Sequence, residues 1–562
     1  MRRPHPLRRR PAESVLLELD LSRGVLEAPP GAPGRLLGAR HVPVLQALVD
    51  ALRWAAADAH VTGLVAHVGQ RPISLAHSSE LRDAVLRFRA SGKPSVAWTE
   101  TFGELTTGNV GYHLATAFEE IWLQPSGDVG LTGIAARAVF VREALDRLGV
   151  DPQLAQRHEY KTAADTFLRS TMTEAAREMA HRLAESATET IVADVASARG
   201  LDAGAVRAIV ERAPLTAPEA LDARLVDRLG YRDEVLSAVR ARVGEARLLY
   251  LDRYGRSRER RAALSHAVTG RRRPVIAVVR ASGPIHLGRA GASRWPGPSV
   301  GSDTLGAALR AAGRNASVKA VVLRVESGGG SYVASDAIRR EVLALRETGR
   351  PVIASMGTVA ASGGYYVAMP SDAIVASPGT LTGSIGVLAG KQVVRDALGR
   401  AGIRVDSEAV GAHAEMFSAQ RPFTDEEWAR LEAWLDRVYE DFTEKAAADR
   451  GMDVEALRRV ARGRVWTGAD ALAHGLVDRL GGLDEAVDLA CERARVRRDG
   501  VDVRTLPHVT LLDKLRPPRS SEQPAAATAA LGDHPLLASA FAALGLPPFA
   551  GVLTLPVSWQ LA

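Results

Sequence analysis

One cysteine, Cys491, stands in 562 residues, beside only six lysines, an aromatic content of 5% and no uninterrupted apolar run of membrane-spanning length. Each shortage excludes something. A lone cysteine cannot build a disulfide framework or a cysteine-rich zinc site, so the fold has to stand on apolar burial. A bilayer span needs roughly 18 to 20 consecutive apolar residues. The basic start MRRPHPLRRR runs instead into PAESVLLELDLS, where Glu13, Glu18 and Asp20 interrupt any signal-peptide core. With no clear signal peptide or transmembrane helix, the expected location is the bacterial cytoplasm or the periphery of a membrane. The scarcity of aromatics leaves the basic runs at residues 1–10 and 256–273 without the interleaved rings of a single-strand binder, so no nucleic-acid partner is expected.

What remains is ordinary for globular protein: 46% apolar and 24% charged residues, with 72 Lys+Arg against 65 Asp+Glu. The basic set is almost all arginine. The six lysines are Lys93, Lys161, Lys319, Lys391, Lys445 and Lys514. Arginine stays protonated everywhere, whereas a desolvated lysine can lose its proton, so each of the six merits individual inspection.

The chain is written twice. LRDAVLRFRASGKPSVA, from Leu81, lies over IRREVLALRETGRPVIA, from Ile338, and at the same offset VTGLVAHV, from Val61, lies over VKAVVLRV, from Val318. Further on, ALDARLVDRLGYRDEVL, from Ala220, matches ALAHGLVDRLGGLDEAV, from Ala471. Internal duplication on this scale sets the domain plan. It predicts a basic tail at 1–13, one domain at 14–250, an Arg-rich linker at 251–273, a second domain at 274–502, and a Pro/Ala-rich linker with an apolar tail at 503–562.

Within the second copy, short β-branched runs at 274–279, 320–325, 351–355 and 373–376 alternate with helical patterns such as 335–348. Runs apolar on both faces read as strands covered by helices on each side, which predicts an α/β fold with a mostly parallel sheet in each half. Long helices are expected at 173–199 and 424–450.

In parallel α/β sheets ligands bind beyond the carboxyl ends of the strands, and there the copies diverge. The second copy has ESGGGS (326–331) and ASGGYYVA; the first has GQRPIS and FGELTTGNVGYHLA. Ser362, ahead of Gly363, Gly364 and a helical pattern, sits where free backbone N–H groups and the helix dipole favour an attacking alkoxide and an oxyanion. The triglycine at 328–330 can bring a second N–H close. The same pattern also fits an N-cap beside a Gly-rich turn. Two bases are open: His413, and Lys161 in RHEYKTAADTF, whose counterpart in the second copy falls near residues 412–414. The first copy offers about Asn109 where Ser362 stands. A serine kept in one half and a lysine in the other points to one composite site.

These residues resemble the signal peptide peptidases in their long, tandem-domain form, also called protease IV, over roughly residues 14 to 500. The motifs that carry the resemblance are VVLRVESGGGSYVASDAIRREV, AASGGYYVA and LTGSIGV. It implies two tandem ClpP/crotonase-like domains and a serine endopeptidase with a Ser/Lys dyad. Ser362 then resembles the nucleophile and Lys161 the general base; Ser384 resembles the serine that orients the amine. Gly329 and Gly363 resemble the oxyanion-hole donors. The family usually has Ser-Pro-Gly-Gly where this chain has Ser327-Gly328-Gly329-Gly330. The resemblance further implies hydrophobic peptides such as signal-peptide remnants as substrates, a homotetrameric ring, and no metal or cofactor, while peripheral membrane contact stays open. A crotonase-type acyl-CoA enzyme and a catalytically inactive scaffold are the alternatives. Cys491 falls on a helical pattern and reads as a packing residue; Tyr365 and Tyr366 fit either core or groove.

Overall fold

A computed structural model describes residues 14–28, 42–269, 273–290, 298–506, 553–554 and 560–561. The basic tail at 1–13 and nearly all of the stretch at 507–562 lie outside the described residues.

The chain forms two compact units, Met1–Gly133 with Glu189–Arg271, and Ile134–Thr188 with Arg272–Ala562. This division differs from the sequence boundaries in one consequential way. The segment holding Lys161 precedes the repeat boundary in sequence, yet it packs with the second copy. One reason is an antiparallel ladder between Asp151–Gln156 and Leu388–Val393. Gly390 sits in that ladder with φ 156°, and a Cβ there would lie 1.9 Å from the Gln153 carbonyl oxygen. The Arg-rich stretch expected as a linker is also different: Leu251–Thr269 is a helix.

In the first unit six parallel strands run in the order Arg247–Tyr250, Val15–Asp20, Val61–His67, Ser95–Thr99, Glu120–Leu123, Arg228–Leu229. The second unit repeats that path in parallel strands: Asp502–Leu506, Val275–Ser282, Val318–Ser327, Val352–Ala361, Ala373–Ala376, Arg479–Leu480. The duplication read in the sequence is thus a duplication of topology, and the α/β class with a mostly parallel sheet in each half holds.

The copies differ at the strand that leads to Ser362. Ser95–Thr99 has five residues; its counterpart Val352–Ala361 has ten. The extra length pairs with Leu381–Gly383, which in turn pairs antiparallel with Val465–Thr467. Val321, Leu323, Val325, Ala354 and Met356 pack beneath it with Ile338, Val342 and Leu345 of the helix Tyr332–Glu347, all at most 3% exposed. Burying each of the Val, Leu, Ile and Met side chains among these is worth about 1.5–3 kcal/mol, which anchors the strand end firmly.

The long helices begin and end close to the expected positions, at Glu174–Arg199 and Asp425–Arg450. Thr424 caps the second through a capping box with Glu427. Cys491 is buried among apolar side chains such as Val278 and Ile353. Tyr365 and Tyr366 belong to the core: the first hydroxyl donates to the Leu476 carbonyl, the second is bonded to Asp336 and Asp441.

Candidate active site

The strand Val352–Ala361 delivers Ser362 at the N-cap of the short helix Gly363–Ala368. Its backbone is held at φ 56°, ψ −116°, a conformation that L-residues avoid. Neighbouring strand ends hold it there, with the Ser362 N–H donating to the Gly383 carbonyl at 2.8 Å and the Ser384 N–H to the Arg464 carbonyl at 2.7 Å. Gly363 and Gly364 are required by close approach to the triglycine. A Cβ at Gly363 would lie 3.0 Å from the Gly329 Cα, and one at Gly364 would lie 2.3 Å from the Ser327 carbonyl oxygen.

Lys161 follows the strand Asp151–Gln156 and reaches the same point. Its Nζ lies 2.8 Å from Ser362 Oγ, 3.0 Å from Ser384 Oγ and 3.0 Å from the Ser384 carbonyl oxygen. Lys161, Ser362 and Ser384 are all 0% exposed. None of the three partners is a carboxylate, and burial drives the lysine pKa well below its ordinary range.

The partner count suits either protonation state. As an ammonium, Nζ has three donors for three oxygens. As an amine it has two donors for the oxygens of Ser384 and one lone pair for the Ser362 hydroxyl proton. A proton can therefore move from Ser362 to Lys161 with no rearrangement of the surrounding groups.

Two glycines cradle the lysine: Gly386, which lies within the LTGSIGV motif, and Gly463, which belongs to no motif read in the sequence. A Cβ at Gly463 would lie 2.5 Å from both the backbone nitrogen and the Cβ of Lys161, and one at Gly386 would lie 3.2 Å from its Cδ. Gly463 also has φ +80° and donates to the Ile385 carbonyl at 2.8 Å.

The remaining expected residues fall unequally. As the first residue of its helix, Gly363 has a backbone N–H without an intrahelical acceptor. The Gly329 N–H already donates to Ser327 Oγ at 3.1 Å, and that hydroxyl donates to the Gly283 carbonyl at 2.7 Å. His413 Nε2 lies 3.4 Å from a carboxylate oxygen of Glu426, on the first turn of the helix Asp425–Arg450, and does not join the Ser362 cluster. Asn109, the first-copy counterpart of Ser362, is clasped to Gly133: Nδ2 donates to its carbonyl at 2.7 Å and Oδ1 accepts its N–H at 3.1 Å.

The chain is similar to known proteases over most of its length. It is 34% identical over 518 residues to Protease 4 of Salmonella typhi, covering 87% of this chain and 80% of that protein. It is 32% identical over 446 residues to the chloroplastic serine protease SPPA of Arabidopsis thaliana, covering 79% and 64%. Among solved structures it aligns with a ClpP1 from Listeria monocytogenes at 13% identity, covering 39% of this chain and 98% of that one, with a TM-score of 0.24. The model of peptidase family S49 matches residues 87–245 and 344–497, one stretch in each copy of the repeat. With both halves matched and a buried serine and lysine in contact, the chain belongs to peptidase family S49 and is a serine-type peptidase.

Proposed function

We propose that Ser362 is the nucleophile and Lys161 the general base of an acyl-enzyme endopeptidase whose substrates are hydrophobic peptides, signal-peptide remnants among them. The observation that carries this reading is the 2.8 Å contact between Nζ and Oγ in a site sealed from solvent. A neutral amine takes the hydroxyl proton as Oγ attacks the scissile carbonyl carbon. The lysinium then protonates the leaving amine, and water, deprotonated by the same amine, releases the acyl group. Ser384 orients the amine through its hydroxyl and its carbonyl. The Gly363 N–H points the positive end of a helix start at the developing oxyanion. Gly329 joins it as second donor once its N–H leaves Ser327 Oγ or is shared with it.

The peptidase reading is supported by relatives named Protease 4 and serine protease SPPA and by the uncharged partners around the amine, and the substrate class comes with the family resemblance. Assembly as a homotetrameric ring and peripheral membrane contact accompany this reading through the family resemblance; among the described residues no helix is long and apolar enough to cross a membrane. Multi-angle light scattering of the purified chain tests the ring, and a monomer would remove it.

The deciding experiment is hydrolysis of casein and of a fluorogenic apolar peptide by Ser362→Ala, Lys161→Ala and His413→Ala variants. The first two are expected to lose about 10³-fold or more in kcat, as removal of a nucleophile or its base does, and the third to keep its activity. A Lys161→Ala variant with normal kcat would overturn the assignment.

A further inference from the structure

Residues 462–464 touch the lysine turn and the strand end of Ser384 at once. Arg462 Nη2 lies 2.6 Å from Glu159 Oε1, Gly463 abuts the Lys161 backbone, and the Arg464 guanidinium stands over the Tyr160 ring, 4.8 Å from its centroid. Three consecutive residues thus grip residues 159–161. On their other side the Gly463 N–H donates to the Ile385 carbonyl at 2.8 Å, and the Arg464 carbonyl accepts the Ser384 N–H at 2.7 Å. All of them belong to the second compact unit.

Arg464 is the more firmly held of the two arginines. Its guanidinium also stands over the Trp466 ring at 4.5 Å, and Nη1 donates to Glu178 Oε1 at 2.7 Å. The other oxygen of that carboxylate, Oε2, accepts the Tyr160 hydroxyl at 2.7 Å. Tyr160, Arg464 and Glu178 therefore close a ring of contacts one residue from the lysine. Stacking a planar cation on aromatic faces while it binds a carboxylate is a task for arginine and not for lysine. The Glu178 side chain is 55% exposed, so the ion pair adds little to stability and its value is geometric.

The repeat gives an independent sign. At the offset that sets Ala220 over Ala471, the first copy has Glu211, Arg212 and Ala213 where the second has Arg462, Gly463 and Arg464. The copy that keeps the serine is the copy that carries this tripeptide.

We propose that Arg464 is a positioning residue for Lys161, clamping the turn 158–161 through Tyr160 and Glu178 against the strand end of Ser384, so that the amine stays on Ser362 Oγ and out of reach of water. This rests on the roles proposed for Ser362 and Lys161 and deepens them by naming what sets their distance.

The test measures kcat and KM on the fluorogenic apolar peptide for Arg464→Met and Glu178→Ala, and titrates the Lys161 amine itself by NMR of isotope-labelled lysine. Six lysines make that spectrum sparse, and Lys161→Met identifies the signal. Arg464→Met is expected to lose about 100-fold in kcat, the cost of displacing a catalytic group by about 1 Å, with KM little changed. Its Lys161 midpoint rises toward the ordinary lysine value as water reaches the amine. Removing the arginine's charge raises the midpoint as well, so Glu178→Ala decides the cause. Loss of a carboxylate by itself lowers a lysine pKa, whereas an opened clamp raises it. Alanine on the exposed face of the helix Glu174–Arg199 keeps the fold, so this arm stands even where Arg464→Met fails to fold. A midpoint that stays or falls in Glu178→Ala would overturn the clamp, as would parental kcat in folded Arg464→Met. If the parent chain cleaves no peptide, the peptidase reading has failed instead, and the NMR midpoints still decide whether Arg464 holds the lysine.

Discussion

Gly463 lies so close to Lys161 that a methyl group on it would sit 2.5 Å from the lysine's backbone nitrogen and its Cβ. The glycine is therefore part of how the amine is aimed. Its φ of +80° adds a backbone reason for the same residue. A Gly463→Ala substitution has to push the 157–161 turn away from Ser384 and Ser362, and displacement of a catalytic group by about 1 Å can cost about 100-fold in rate. The expected outcome is a folded protein with kcat reduced by that order and KM little changed. Normal kcat in a variant with wild-type circular dichroism would show that the cradle is passive.

The second prediction concerns pH. Only the neutral amine can take the Ser362 proton, and burial has moved the Lys161 pKa well below its ordinary range. The rate should therefore climb about tenfold per pH unit below that depressed value and level off above it, short of the ordinary lysine range. A kcat/KM profile flat across acid and neutral pH would contradict the base assignment.

The same burial makes a stability claim with a definite sign. Between the depressed pKa of native Lys161 and its ordinary value of 10.5, the unfolded chain binds more protons than the native one, so stability rises with pH across that window. Below the window the cost is fully present, about 1.4 kcal/mol for each factor of ten by which burial has weakened proton binding. A Lys161→Met variant removes it. The variant should be inactive yet more stable than the parent at neutral pH, with the gap closing as pH approaches 10.5. Urea unfolding of both proteins across pH 6 to 10 measures this, and a gap independent of pH would sink it.

Ser384 presents two oxygens to the amine, and only the hydroxyl can be removed by mutation. A Ser384→Ala variant leaves the carbonyl contact and the 2.8 Å approach of Nζ to Ser362 Oγ in place but frees one rotation of the amine. Its kcat should fall by about 10- to 100-fold, between a positioning defect and loss of the base. A loss equal to that of Lys161→Ala would mean that Ser384 takes part in proton transfer itself.

Much of this was legible in the chain. The duplicated LVDRLG and the paired strand and helix patterns foretold two sheets of one topology, because buried strands and amphipathic helices each impose a period on the sequence. Ser362 and Lys161 stood out because the copies differ there and because lysines are so few. The packing boundary was hidden: sequence order does not record that 134–188 would fold onto the second copy, a choice made by the Asp151–Gln156 ladder and the clearance at Gly390. Gly463 was hidden for a related reason, since a glycine that clears room for a side chain distant in sequence looks like any turn glycine. The bond between Gly329 and Ser327 was likewise invisible, because spacing cannot say which backbone N–H is already satisfied.

Asn109 supplies the control for the site reading. It occupies the place of Ser362 in the first copy, is 1% exposed, and spends both halves of its amide on the backbone of Gly133. That clasp ties the start of the helix Asn109–Ala115 to the loop at Gly133 and leaves no reactive atom free. Asn109→Ala would remove both bonds to the half-buried Gly133 backbone, at a cost of about 1 kcal/mol in unfolding free energy for each bond lost. Hydrolysis by the fraction that remains folded should match the parent in kcat and KM. Ser362→Ala should show the reverse, with activity gone and stability kept, because the proposed role of Ser362 is chemical and its side chain supplies little packing. A loss of kcat in folded Asn109→Ala would show that the first copy takes part in the reaction.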